Sequence, residues 1–175
     1  QVLTTCLDRG IKVVSNAGGL DPHGCAEAVR KVARAAGREV SVAIVDGDDL
    51  IDRLEVLTAA GHSLSNIDTG EPLGDVVGRV VTANAYLGCW GIVEALDAGA
   101  DVVVTGRVTD AAVVMGPAAW HHGWARDDWD ALAGAVAAGH VIECGAQATG
   151  GNFAVLANPT DRPANMAQTT TRDGQ

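Results

Sequence analysis

Three short apolar runs dictate what this chain can fold into. IKVV at 11–14, VSVAIV at 40–45 and DVVV at 101–104 are rich in β-branched residues. Each is shorter than an ordinary helix, and none alternates apolar with polar residues throughout. That is the pattern of strands covered on both faces. Each run ends in a polar, glycine-containing loop: Asn16-Ala17-Gly18-Gly19, Asp46-Gly47-Asp48-Asp49 and Thr105-Gly106-Arg107. A helical pattern follows each loop. Strands alternating with helices predict right-handed βαβ units. The expected fold is α/β, a three-layer Rossmann-like sandwich with a mostly parallel sheet.

The helical patterns carry their own punctuation. Asp21-Pro22 opens a helix, with Asp as N-cap and Pro at the first helical position. Val29, Val32, Ala33 and Ala36 share one face, and Gly37 is placed to end it. Leu50, Leu54 and Leu57 mark a second helix, closed by Gly61, and residues 62–75 form a polar loop. A short strand is expected at 79–83. Residues 89–100 read as a helix with Ile92, Val93 and Leu96 inward. A further helix starts at Asp110, another runs to about Ala138, and 145–152 is a glycine-rich loop. Residues 157–175 are polar without apolar period, so a domain over 1–156 with a disordered tail is expected. With 22 glycines and 3% aromatic residues, small aliphatic side chains must do most of the packing.

Charge and cysteine usage narrow the partners. A formal net charge of -10 opposes binding to polyphosphate backbones, so no nucleic-acid partner is expected. No apolar run reaches the roughly 18–20 residues that span a bilayer. The opening stretch lacks a signal-peptide pattern and an initiator Met. Cys6, Cys25, Cys89 and Cys144 form no C-x-x-C pair and fit no zinc spacing. A reducing, cytoplasmic setting is expected.

Five polar loops share one expected position, at or near the carboxyl ends of strands, where open α/β sheets bind ligands. They are the three above together with Asn84-Ala85-Tyr86 and Gln147 to Asn152. Arg107 can fork two oxygens of a carboxylate or phosphate, and Thr109 or Asp110 can cap the helix behind it. Alternatively, Arg107 and Asp110 form a structural ion pair. NAGG can cradle an anion on backbone amides, or it is a tight strand–helix turn. The carboxylates of DGDD can meet a divalent cation, but capping by Asp48 or Asp49 is the preferred reading, and no metal site is assigned. Asp46 sits on the strand end itself and keeps a ligand-binding role. His121 and His122 diverge by about 100° on a helix and do not share an ion readily; with the surrounding tryptophans they suit packing or a subunit contact. Cys144 is a nucleophile beside a glycine loop or a small buried side chain, and Glu143 beside it is a candidate general base.

Taken together, VVSNAGGLDPHG, VDGDDL, TANAYLGCWGIVEAL, GADVVVTGRVTDAAVVMGPAAWHHGW and AGHVIECGAQATGGNF resemble the acyclic terpene utilisation (AtuA) N-terminal domain, over about residues 1–153. The resemblance implies a cytoplasmic protein of citronellol- and geraniol-type catabolism, in which the carbon skeleton travels as branched acyl-CoA. The family's motif positions here are Asn16, Gly18, Gly19, Asp46, Gly47, Asp48, Asp49, Asn84, Tyr86, Thr105, Gly106, Arg107, Thr109, Asp110, Glu143, Gly145, Gln147, Gly150, Gly151 and Asn152. The chain departs from the family pattern at both ends. Members begin earlier, with another strand and glycine loop, and continue past GGNF with apolar segments, whereas this chain turns polar. A truncated or frame-shifted gene is the expected origin of that difference.

The resulting expectation is an enzyme, or enzyme fragment, acting on an anionic small molecule such as a branched acyl-CoA. Arg107 would anchor the anion, and Asp110 or Glu143 would act as acid or base. Asn16, Asn84 and Gln147 would hydrogen-bond the ligand. Gly18, Gly19, Asp46, Tyr86, Thr105, Gly106, Thr109, Gly150, Gly151 and Asn152 complete the expected lining. No motif names a cofactor. The rival readings are a non-catalytic acyl-CoA or effector-binding subunit and a structural protomer of a homo-oligomer.

Overall fold

The computed structural model describes residues 2–149 and divides the chain into two compact units, Gln1–Gly139 and His140–Gln175. The first unit is α/β. Helix α1 (Val2–Asp8) leads into strand β1 (Val13–Ser15), then helix α2 (Pro22–Ala35) and strand β2 (Val42–Val45). A 3-10 turn (Ile51–Arg53) continues into α3 (Leu54–Ala59), and a second 3-10 segment (Gly74–Arg79) follows. Helix α4 (Trp90–Asp97), strand β3 (Val102–Thr105), α5 (Ala112–His122) and α6 (Trp129–Cys144) complete the described order, with a 3-10 turn at Gly145–Thr149.

The three strands are parallel in the order β1-β3-β2. β3 is the central strand, and all four of its residues are buried. This is why its sequence is an unbroken Val run. Register aligns Val13, Val102 and Val42 in one row and Val14, Val103 and Ala43 in the next. Successive rows face opposite sides. Val102 and Val104 join Ala26 of α2, with Leu3, Val13, Val29, Val42 and Ile44 around them. Val103 joins Ile92 and Leu96 of α4 and Ala112 of α5, with Val14, Ala43 and Val45 around them. Helices therefore cover both faces. α2, leaving β1, lies on one face; α4, leading back to β3, lies on the other. Right-handed crossovers demand that change of face when the chain reverses its direction across a sheet.

Local chemistry explains most boundaries. Asp21 Oδ1 accepts the Gly24 N–H at 2.8 Å, and Pro22 begins α2, as the sequence predicts. Gly37, at φ +67, ends it. Ala33 is buried on the inner face, but Val32 is 58% exposed, so the predicted stripe is narrower than expected. Residues 79–83 form no strand. The 3-10 segment occupies Gly74–Arg79, and an isolated antiparallel bridge pairs Asn84 with Asp49. α5 starts at Ala112, two positions after Asp110, because the Ala112 N–H is taken by the Thr109 carbonyl at 2.8 Å. α6 runs to Cys144 rather than stopping near Ala138, since nothing in AAGHVIEC breaks a helix, and 145–149 is a 3-10 turn in place of the expected loop. Gly150, Gly151, Asn152 and the tail at 157–175 lie outside the described residues.

Two sites on this frame give direct tests. A Cβ on Gly116 would sit 2.7 Å from Ile92 Cγ2, with the Cys89 carbonyl oxygen at 3.2 Å. Gly116 is thus what lets α5 lie close on α4. Gly116→Val should destabilise the fold by about 1–3 kcal/mol through overpacking, read as a lower urea midpoint.

At the amino ends of the strands, Asp101 Oδ2 accepts the Ser41 N–H at 3.0 Å and Oδ1 accepts from Lys12 Nζ at 3.1 Å. The Ser41 hydrogen bond, more than the Lys12 charge, holds its carboxyl below the ordinary value of 3.8. A depressed folded-state value means that the unfolded chain binds the proton first as pH falls. The stabilisation is complete above the ordinary value and disappears as pH drops through the folded one. Asp101→Asn should cost about 1 kcal/mol at pH 7, mostly from the backbone bond because solvent screens the ion pair. The gap to wild type should close in melts taken progressively below about pH 4.

Candidate functional site

The loops leaving β2 and β3 and the segment at 84–86 meet around one carboxylate. Asp48 is only 4% exposed. Its Oδ2 accepts the side-chain N–H of Asn84 and the backbone N–H of Arg107, both at 2.9 Å. Its carbonyl accepts the Ala85 N–H at 2.8 Å. Asp48 therefore clamps the loop after β2 to the loop after β3 and to the 84–86 segment. It does not cap the following helix, which corrects the sequence reading. Asp49 comes nearer to that role, its Oδ1 accepting the Ile51 N–H at 2.9 Å. A Cβ on Gly106 would lie 2.1 Å from Asp48 Oδ1, so glycine is required for the clamp to close. The Arg107 carbonyl accepts the Leu87 N–H and the Leu87 carbonyl accepts the Thr109 N–H, at 3.1 and 2.9 Å, which bridges Leu87 to Val108 just past the strand end.

Beside Asp48 lies a cleft of about 400 Å³. Gly19 to His23 form one wall; Asp46, Gly47, Asp48, Asp49 and Asn84 form the other. At its mouth His23 Nε2 lies 2.9 Å from Asp46 Oδ2, with both side chains exposed. His23 was not singled out in the sequence. Its partner is 23 residues away, and only the strand register brings the two together. Gly18 is buried, and a Cβ there would meet the Thr105 carbonyl oxygen at 2.3 Å. NAGG thus forms a tight strand–helix turn packed on the end of β3, while Gly19 reaches the cleft.

Arg107 and Asp110 are not joined in a salt bridge. Among the described residues Arg107 forms no salt bridge, and Asp110 makes no cap to α5, so neither part of the ion-pair-and-cap alternative is realised. The guanidinium lies 4.7 Å from the centre of the Tyr86 ring and donates to the Tyr86 hydroxyl. That hydrogen bond, followed by the charges of Asp110 and Asp48, pushes Arg107 still higher in pKa. Thr105 is fully buried, and its hydroxyl donates to the Gly106 carbonyl at 2.9 Å. Asn16, Thr109 and Asp110 are exposed.

A family model described as acyclic terpene utilisation family protein AtuA matches residues 1–170. The chain belongs to the AtuA family. No curated protein and no solved structure matches it.

The remaining candidates of this AtuA-family chain lie elsewhere. In the second unit, Cys144 Sγ donates to Glu143 Oε2 at 3.0 Å and lies 3.5 Å from His140 Nδ1, a grouping set by helical spacing. Gln147 lies in the 3-10 turn and is exposed. His121 and His122 pack edge to face at 4.9 Å, and His122 stacks on Trp124. Cys89 is buried, which pushes its thiol up and leaves it a packing residue. Among the described residues no group of three or more His, Cys, Asp or Glu is placed to hold a metal ion, and no helix is long and apolar enough to cross a membrane.

The clamp predicts a stability effect larger than a surface charge would give. Asp48→Ala strands two donors, one of them the Arg107 amide, and should cost about 2–4 kcal/mol. Asp48→Asn, which keeps one acceptor, should cost less. Equal midpoints for wild type and Asp48→Ala in urea would refute the clamp.

Proposed function

We propose that this AtuA-family domain binds an anionic small molecule of the branched acyl-CoA type, in the breakdown of acyclic terpenes, at the carboxyl ends of its strands. The observation that carries the reading is Arg107. It is solvent-exposed, stacked on Tyr86, and outside any ion pair among the described residues. A cation held in place by a ring and a hydroxyl loses little freedom on gripping an oxyanion. Its backbone is fixed by Asp48, which also lines the cleft.

Charge distribution orients the ligand. The cleft carries Asp21, Asp46, Asp48 and Asp49, so its walls repel a polyanion. The anionic part belongs at Arg107 and Tyr86, and the uncharged end belongs in the cleft. Asn84 bridges the two regions through Asp48. Gly19 lines the cleft, whereas Asn16, Gly18, Thr109 and the second-unit residues Glu143 and Gln147 retain only the sequence pattern as support. The terpene pathway follows from family membership, whereas the acyl-CoA class is our reading of the cation beside an uncharged-ligand cleft.

A thermal-shift series with CoA, isovaleryl-CoA, short carboxylates and nucleotides tests this. A ligand that binds only the folded chain must raise its melting temperature. Isovaleryl-CoA should raise it by several degrees at saturating concentration, and Arg107→Ala should weaken that binding tenfold or more. Undiminished affinity in Arg107→Ala would remove the anchor from the proposal.

A further inference from the structure

His23 pairs with Asp46, and the family likeness and the sequence motifs leave His23 without a role. His23 is the second residue of α2, and Asp46 is the first residue after β2. Their side chains are 68% and 57% exposed, so as a salt bridge the pair stabilises the fold little. It lies, however, at the mouth of the strand-end cleft, and both residues line that cleft. An ionised carboxylate only accepts, so Nε2 carries the hydrogen that spans the 2.9 Å to Asp46. The tautomer is then set: in the neutral ring Nδ1 keeps its lone pair.

We propose that His23 is the general base of the cleft, with Asp46 as its orienting partner, and that it removes the proton α to the carbonyl of a bound acyl thioester. The substrate class rests on the acyl-CoA reading above. In the step, the Cα–H bond breaks and the Nδ1–H bond forms. The C–H electron pair becomes a C=C bond, and the carbonyl π pair moves onto oxygen as an enolate. The new positive charge on the ring is stabilised by Asp46. Return of a proton from the ring regenerates the thioester, with no oxidant or further reactant. The exposure of His23 lets its ring proton exchange with solvent between the two transfers.

In deuterium oxide the full chain should therefore wash deuterium into the α position of isovaleryl-CoA, followed by mass spectrometry. A positioned general base contributes typically 10²–10⁴-fold, so His23→Gln should slow the exchange about 100-fold or more. Its thioester affinity, read by thermal shift, should stay within about threefold of wild type. Asp46→Asn should slow exchange less, and imidazole nitrogen NMR should show the Nε2–H preference of His23 lost in that variant. Bound thioester with no exchange in wild type, or equal exchange in His23→Gln, overturns the base while leaving the anion site standing. No thioester binding by wild type overturns the ligand class and, with it, this role for His23. A His23 ring with no tautomer preference in wild type overturns the part given to Asp46.

Discussion

The buried carboxylate of Asp48 is the constraint on which the strand-end surface depends. Parallel strands leave their carboxyl-terminal loops with no ladder partner, and each loop needs another source of hydrogen bonds. Asp48 supplies acceptors to the loop after β3 and to the Asn84 side chain at once, and its own backbone carbonyl serves a third amide. Burial raises the cost of losing any one of these bonds, because the freed donor would stay dry. The same carboxylate forces Gly106 to lack a side chain. A single acidic residue thus fixes the Arg107 backbone, the Asn84 side chain and the floor of the cleft, three features that would otherwise sit on independent loops.

That arrangement divides the surface by charge. On one side of the clamp the cleft is lined by carboxylates and one imidazole. On the other a guanidinium rests on a tyrosine ring. The two halves are held at fixed separation because both are bonded to Asp48 or to residues flanking Asn84. A ligand with one anionic and one neutral end matches such a surface better than a compact anion does. The chemistry assigned to each half follows from this division, and neither half needs a glycine-rich phosphate loop, which the NAGG turn does not form.

The frame was legible in the sequence because it rests on local signals. The β-branched runs, the Asp21-Pro22 cap and Gly37 each act within a few residues, and the parallel sheet followed from their alternation. The site was legible only in part. Asp48 looks like a helix cap because Asp before a helical stretch usually is one, and nothing nearby reveals that its partners are 36 and 59 residues away. The strand expected at 79–83 failed for a related reason. VVTA has β-branched residues, but the segment pairs with none of β1, β3 and β2, and the chain there contributes one bridge at Asn84 and no ladder. His23 was invisible because a histidine after Pro reads as an ordinary first-turn residue. Arg107 and Tyr86 were both marked, yet their contact is a product of the clamp.

The reversal in strand order explains why these distant residues meet where they do. β1 and β2 flank β3, so the loops after them approach from both sides of the central strand's end. Gly18 seals the first loop onto the Thr105 carbonyl, and Gly106 brings the third loop under Asp48 of the second. Each approach is closer than any side chain permits, which is why glycines stand at both contacts. The cleft is then the space that remains between two loops pulled toward a common strand. The His23–Asp46 pair spans its mouth because α2 starts from one wall and β2 ends in the other. On this account the acid–base pair and the cation are consequences of one topological choice: inserting β3 between the strands that precede it.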